Sequence, residues 1–223
     1  MNLALLDELV AARAAKHAVA LATWLDGSDQ RVLSRDNAPV ELASAVDDAL
    51  RTDRAVVVPI AERSVLVEPH NPPLRLVVVG AVHVAEPLAA IAELAGFAVT
   101  IVDPRRAWAT ATRFPGRELV VEWPDRALER LAVDARTAIV TLTHDPKLDD
   151  PALIVALASP AFYIGCLGST KTHAARLERL ATAGCTELDR LHGPVGLRIG
   201  ARAPAEIAVA IFAEVIAALR GAA

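Results

Sequence analysis

From Leu74 onward the chain alternates short apolar segments with amphipathic helical segments, and this alternation constrains the fold more than any other feature. The first apolar segment, Leu74–Val79, is rich in valine, which is typical of a parallel strand buried on both faces. Strands that alternate with helices at this spacing form a parallel sheet with helices on both sides. The sequence therefore predicts an α/β fold with a Rossmann-like, doubly wound parallel sheet.

This region is predicted to contain five strands and five helices. The strands are expected at residues 74–79, 97–102, 118–122, 137–142 and 162–165, and the helices at about 84–95, 124–133, 151–158, 172–183 and 204–219. Helices commonly end at a glycine in the left-handed conformation. Gly96 is therefore expected to end the first of these helices, and Gly221 the last.

A stiff Asn71-Pro72-Pro73 segment precedes the alternating region and suits a linker between domains. Residues 1–70 are predicted to form a smaller N-terminal α/β domain, and residues 71–223 the Rossmann-like domain. In the smaller domain we expect helices at 3–15 and 40–52 and strands at 18–25, 55–60 and 64–68.

Composition and charge exclude several classes of protein. A net charge of −4 and the lack of a basic run argue against nucleic-acid binding, which needs a surplus of Lys and Arg on one face. The two cysteines, Cys166 and Cys185, form no CxxC pair, which suits a reducing compartment rather than a disulfide framework. The first residues predict an amphipathic helix rather than a signal peptide, and no apolar stretch is long enough to span a membrane. We therefore expect a cytoplasmic protein.

Ligands of open parallel sheets bind beyond the carboxyl ends of the strands, so the loops that follow the strands are the expected site. Four such loops carry glycine, polar or ionisable residues: Gly80–His83, Asp103–Arg106, Thr143–Pro146 and Cys166–Ser169. The fold is expected to bring these four loops to one edge of the sheet. On this basis the core of a ligand site is predicted at His144, Asp145, Gly168, Ser169 and His173.

The turn after the first strand resembles an incomplete dinucleotide-binding fingerprint. That fingerprint needs three glycine or alanine positions, and Val82 replaces the middle glycine, which normally lets the backbone approach a pyrophosphate. Gly80 is retained at the first position. Asp103 follows 23 residues after Gly80, where an acidic residue can bind a ribose hydroxyl or can simply cap a turn. Both roles for Asp103 remain open, and the indication of NAD(P) binding is weak.

The segment Gly165–His173 contains a second glycine-bearing loop, which opens a helix. Backbone N–H groups at a helix start, together with Ser169, Thr170 and Lys171, can form an anion site. The alternative is an ordinary turn from strand to helix that is capped by Ser169 or Thr170.

Four of the six histidines, among them His83 and His144, lie in or beside these loops, and a functional role is expected for at least one of them. Their spacing matches no standard metal motif. Cys166 is either a small buried hydrophobe or a thiolate ligand, and it is the sole candidate for a metal contact.

Several motifs in order along the chain carry a resemblance to a known family. They are the turn at Gly80–Ala85, Val99–Arg105, Arg113-Phe114-Pro115, Thr143-His144-Asp145, Phe162–His173, and the His192–Ala201 run that leads into Pro204–Ala208. Over about residues 71–220 the sequence resembles the XdhC/CoxI family.

This resemblance implies an accessory protein, or chaperone, that binds the molybdenum cofactor as molybdopterin or its dinucleotide form. Such proteins help the cofactor to receive its terminal sulfur from a cysteine desulfurase and deliver it to xanthine-dehydrogenase-type enzymes, without turnover of their own. A homodimer is compatible with a protein of this kind and size. The full set of predicted cofactor-binding residues is Gly80, His83, Asp103, His144, Asp145, Gly165, Gly168, Ser169 and His173.

The sequence also departs from the family pattern. Val82 stands where family members commonly have glycine, and Arg198 stands where many have aspartate. No cysteine precedes Cys166, so the N-terminal Gly-Gly-Cys motif of longer members is absent from this sequence. Two other functions therefore stay open, an NAD(P)-dependent oxidoreductase and a nucleotide-sensing regulatory module.

Overall fold

The structure of the protein, a computed structural model, describes residues 3–221. The chain divides into two compact units, one that ends at Pro72 and one that begins at Pro73. The boundary falls inside the Asn71-Pro72-Pro73 segment.

The first unit contains two helices and a four-stranded sheet. Its elements are α1 (Leu3–Ala14), β1 (Val19–Trp24), β2 (Gln30–Leu33), α2 (Val40–Thr52), β3 (Val56–Ile60) and β4 (Arg63–His70). The sheet has the order β2-β1-β4-β3 and all its pairs are antiparallel. Helix α2 buries Leu42, Val46 and Leu50 against the sheet residues Val65 and Val67, which gives this unit its own core.

The second unit consists of alternating strands and helices. Its elements are β5 (Arg75–Val79), α3 (Ala85–Leu94), β6 (Ala98–Val102), β7 (Glu118–Val120), α4 (Pro124–Arg130), β8 (Thr137–Thr141), α5 (Pro146–Leu157), β9 (Tyr163–Cys166), α6 (Thr170–Thr182), a short 3-10 helix (Leu188–Arg190), β10 (Leu191–His192) and α7 (Pro204–Arg220). The sheet is parallel throughout, with the order β10-β9-β8-β5-β6-β7. This is the strand order of a Rossmann fold.

Helices cover both faces of this sheet. Along β5, Leu76 and Val78 pack into a cluster with α3 and α7, while Val77 and Val79 pack into a second cluster with α4, α5 and α6. Successive side chains of a strand point to opposite faces, so a strand buried on both sides needs a continuous apolar run. The predicted fold class is confirmed.

The structure differs from the prediction for this unit at one strand and one helix. The two-residue strand β10 was not predicted, because such a short segment becomes a strand only by pairing with β9. The helix expected at 151–158 begins earlier, at Pro146, where the Asp145 side chain accepts a hydrogen bond from the Lys147 backbone N–H. Pro151 lies inside this helix rather than at its start.

Other local predictions agree with the structure. Gly96 follows α3 with φ +85°, and Gly221 follows α7 with φ +64°, so both chain segments leave their helix through the left-handed region. None of the helices within residues 3–221 is long and apolar enough to cross a bilayer.

Candidate functional site

The four predicted loops leave the second sheet from neighbouring strands. Strands β9, β8, β5 and β6 are adjacent and parallel. Their last residues are also level, since Val79 pairs with both Val102 and Thr141, and Thr141 pairs with Cys166. The loops therefore begin side by side at one edge, which we call the carboxyl edge.

Gly80 places the first turn against the loop after β8. Its φ is +111°, and a Cβ atom at this position would lie 2.7 Å from Cγ2 of Thr143. Strand order reverses between β5 and β8, and a side chain would close the space between their two loops. The glycine is required for this close approach as well as for its backbone angle.

Asp103 is fully buried, and its carboxylate is satisfied from within the protein. It accepts hydrogen bonds from the backbone N–H of Ala81 at 2.8 Å and from that of Arg105 at 2.9 Å. The Arg105 guanidinium adds two more, at 2.9 and 2.7 Å. Burial by itself raises the pKa of Asp103, but these hydrogen bonds outweigh it and hold the pKa below its usual value.

Through these hydrogen bonds Asp103 joins two loops. Its carboxylate connects the turn after β5 with the loop after β6. The Arg105 guanidinium packs over the Trp108 ring, with its Cζ atom 4.6 Å from the ring centroid. With no exposed area, the carboxylate presents no acceptor to a ribose hydroxyl.

The histidines of the first and third loops face solvent. His83 is exposed in the turn before α3, and His144 is exposed with φ +61°. Asp145 is also exposed and serves as the N-cap of α5, and its backbone N–H donates to Oγ1 of Thr143 at 3.2 Å.

The fourth loop leads into α6 through a capping serine. Oγ of Ser169 accepts a hydrogen bond from the backbone N–H of Thr172 at 3.1 Å. His173, in the next turn, is partly exposed, but its Nδ1 atom is buried without a hydrogen-bond partner. Its ring lies against Gly193, where any Cβ would overlap it. Burial, and then the nearby Arg176, lower the pKa of His173.

Gly165 and Cys166 are the last two residues of β9 rather than part of the loop that follows it. A Cβ on Gly165 would lie 2.6 Å from Cγ2 of Val195, so this glycine serves packing beneath the loop after β10. Cys166 is fully buried, and burial raises the pKa of its thiol to about 12. Metal ligation needs the thiolate, which this environment disfavours. Within residues 3–221, no three His, Cys, Asp or Glu side chains are grouped closely enough to hold a metal ion.

A buried polar network beneath the carboxyl edge was not predicted. Asp149 and Arg176 are 1% and 2% exposed, and they face each other with Nη2 of Arg176 3.6 Å from Oδ2 of Asp149. Oγ1 of Thr143 donates to Oδ1 of Asp149 at 2.6 Å, and Nη2 of Arg176 donates to the Leu167 carbonyl at 3.0 Å. The network therefore connects the loop after β8 with the loop after β9.

One feature of the sequence is compatible with this burial. Arg176 stands at helical spacing with the apolar residues Leu177 and Leu180, on the face of α6 that packs inward. An arginine in such a stripe either reaches to the surface or is buried with partners. Sequence spacing alone does not distinguish these two outcomes.

A second cluster that was not predicted borders a cavity of about 650 Å³. The Tyr163 hydroxyl donates to Oε2 of Glu214 at 2.5 Å, and the backbone N–H of Gly196 donates to the same oxygen at 2.7 Å. His192 stacks on Tyr163 with ring centroids 4.5 Å apart, and its Nδ1 lies 3.8 Å from Oε1 of Glu214. Burial raises the pKa of Glu214, but these neighbours bring it below its usual value.

Comparison with known proteins identifies the family. Residues 76–215 match the XdhC Rossmann domain. The chain belongs to the XdhC family. The resemblance inferred from the motifs is thereby confirmed.

Two curated relatives are similar in sequence to this XdhC-family chain. The sequence is 35% identical over 147 residues to a probable xanthine dehydrogenase subunit of Bacillus subtilis (strain 168), covering 66% of this chain and 43% of that protein. It is 36% identical over 85 residues to the molybdenum cofactor insertion chaperone PaoD of Escherichia coli (strain K12), covering 37% of this chain and 27% of PaoD. The chain thus spans less than half the length of these relatives.

A solved structure shares the fold. A crystal structure from Bacillus halodurans, described as a xanthine dehydrogenase, matches 98% of this chain and 64% of its own length with a TM-score of 0.72. The sequence identity is 24%, so this likeness concerns the fold alone.

Proposed function

We propose that this chain binds the molybdenum cofactor and acts as an accessory protein in the maturation of a xanthine-dehydrogenase-type molybdenum hydroxylase, without turnover of its own. The observation that carries the proposal is the match of residues 76–215 to the XdhC Rossmann domain. Similarity to a relative named as a molybdenum cofactor insertion chaperone supports it. The client enzyme, a cysteine desulfurase as sulfur donor, and a homodimeric state are further parts of the proposal.

The proposed site for the cargo is the carboxyl edge of the second sheet. His144, Asp145 and Ser169 are exposed there, and Gly168 and His173 are partly exposed, so all five present surface to a ligand. Asp103, Gly165 and Cys166 are buried and form the frame that positions the loops.

The cargo is an anionic, phosphorylated pterin, and the side chains at this edge suit it. Ser169 caps the start of α6, where backbone N–H groups favour negative charge. The imidazoles of His144 and His173 and the Asp145 carboxylate provide donors and acceptors for the polar edge of a pterin ring.

An NAD(P)-dependent oxidoreductase and a nucleotide-sensing module are the competing functions. Two features, one in the first turn and one in the loop after β6, disfavour a nicotinamide dinucleotide. Val82 occupies the position where glycine admits a pyrophosphate, and it packs against the core cluster of α3 and α7. The Asp103 carboxylate is occupied by four hydrogen bonds.

Equilibrium binding under anaerobic conditions tests the proposal. Purified protein is titrated with molybdenum cofactor and, separately, with NAD(H) and NADP(H). We expect binding of the cofactor alone with a dissociation constant of about 1 μM or lower, which corresponds to about −8 kcal/mol. Binding of a nicotinamide dinucleotide alone would replace the proposed function with the oxidoreductase alternative.

A double variant locates the site. His144→Ala with Ser169→Ala is expected to weaken cofactor binding by at least about tenfold, or about 1.4 kcal/mol. The matched control is His70→Ala with Ser44→Ala, two exposed positions of the first unit. Equal affinities for both folded variants would refute the assignment of the site.

A further inference from the structure

Arg176 is a buried cation whose hydrogen-bonding capacity is largely unused. Its side chain is 2% exposed, yet neither Nε nor Nη1 has a hydrogen-bond partner. Only Nη2 is engaged, by the Leu167 carbonyl at 3.0 Å. Buried polar groups in folded proteins are almost always satisfied, so unpaired guanidinium nitrogens require an explanation.

The unpaired Nη1 atom lies directly against the loop that opens α6. It is 3.8 Å from the position that a Cβ on Gly168 would occupy. Gly168 immediately precedes Ser169, the N-cap of this 13-residue helix. The guanidinium therefore lies behind a segment of the carboxyl edge that a helix start already makes favourable for anions.

Two further polar groups beside Arg176 are buried without a hydrogen-bond partner. The nearest carboxylate, that of Asp149, stands 3.6 Å from Nη2 of Arg176, and its Oδ2 atom has no hydrogen-bond partner. On the same face of α6, Nδ1 of His173 is also buried without a partner.

We propose that the Gly168–Thr170 segment, backed by Arg176, is a phosphate-binding subsite. Backbone N–H groups at the start of α6 approach the phosphate from one side, and the buried Arg176 charge supports it from beneath the loop. A charge in this low-dielectric interior acts on the anion more strongly than an exposed arginine would.

The ligand group is a phosphate ester or a diphosphate. If the proposed function holds, this group belongs to the molybdenum cofactor; otherwise it belongs to a nucleotide. The subsite rests on the proposed function only for the identity of the molecule, because the geometry concerns the phosphate alone.

Binding of inorganic pyrophosphate, measured by calorimetry, tests the subsite without the cofactor. Arg176→Gln is expected to weaken pyrophosphate binding by at least about tenfold. The control is Arg179→Gln on the same helix, an exposed arginine paired with Asp150, which should leave affinity within about twofold of the wild type.

A second variant separates a ligand role of Arg176 from a purely structural one. Asp149→Asn keeps an acceptor for Thr143 but removes the charge that opposes Arg176. If Arg176 supports a bound phosphate, this change should tighten pyrophosphate binding by about three- to tenfold. A structural role alone predicts no tightening, and this result stays informative even if Arg176→Gln fails to fold.

Competition experiments distinguish failure of the subsite from failure of the function. Displacement of bound cofactor by pyrophosphate supports both proposals, and displacement of bound NADH alone supports the subsite with a nucleotide as its ligand. The subsite would be overturned, and the proposed function left standing, if pyrophosphate did not compete with the cofactor and Asp149→Asn bound pyrophosphate with the affinity of the wild type. Absence of any pyrophosphate binding to the wild type would also overturn the subsite.

Discussion

Asp103 illustrates how a single carboxylate stabilises this edge of the sheet. Because its pKa is lowered in the folded protein, its contribution to stability is present in full above its unfolded pKa of about 4. That contribution is lost as the pH falls through the folded pKa. Its stabilising effect therefore has a defined dependence on pH.

Asp103→Asn is expected to destabilise the protein by about 2–4 kcal/mol at neutral pH, since a buried arginine-paired carboxylate loses its charge. The difference from the wild type should be smaller at about pH 3, below the unfolded pKa of about 4, because protonation there favours the unfolded wild-type chain. Urea unfolding at both pH values measures this. A difference that stays constant with pH would contradict the role assigned to Asp103.

Gly80 and Gly96 allow a matched comparison of backbone strain and steric overlap. Both have positive φ, but nothing lies within 4 Å of a Cβ on Gly96, whereas one on Gly80 would meet Thr143. Gly96→Ala is expected to cost about 1–2 kcal/mol from backbone conformation alone. Gly80→Ala adds the overlap and should cost roughly 3–5 kcal/mol. Denaturant unfolding of the two variants checks this, and similar losses would exclude a tight contact at Gly80.

At the scale of elements, the start of α6 depends on its capping side chain. Ser169→Ala removes the acceptor for the Thr172 N–H and should cost about 1 kcal/mol of stability. Ser169→Asn retains a capping oxygen and should stay within a few tenths of a kcal/mol of the wild type. Thermal unfolding without ligand measures this effect separately from binding. Equal stability of both variants would show that the cap contributes little.

At the scale of the whole molecule, the core residues divide between the two units. Two hydrophobic clusters contain only residues from Leu74 onward, and the other two contain only residues up to Val67. Each unit therefore has an interior of its own, and the proposed cofactor site lies wholly within the second.

A fragment of residues 73–223 is accordingly expected to fold by itself and to unfold in one cooperative transition. Coincident urea curves from circular dichroism and from the fluorescence of Trp108 and Trp123 would demonstrate this. The fragment should also bind pyrophosphate with the affinity of the full chain, within about twofold. A fragment that stays unfolded would show that the second unit depends on residues 1–72.

Local sequence determined the elements that carry a strong repeating pattern. Helix α2 was predicted with its observed bounds because its apolar residues recur on one face. The valine-rich β5 required burial on both faces, and with it the parallel sheet. The adjacency of the four loops followed from that sheet, since parallel strands end at the same edge.

Tertiary structure alone decided which side chains share that edge and which are buried beneath it. Only packing made Asp103 a tie between two loops, placed Arg176 against Gly168, and turned Leu191–His192 into a strand. The reason is physical: a periodic pattern reflects the conformational preferences of residues that are close together in the chain. Hydrogen-bond partners and burial depend instead on residues that are distant in sequence, and these meet only when the sheet and its helices have assembled.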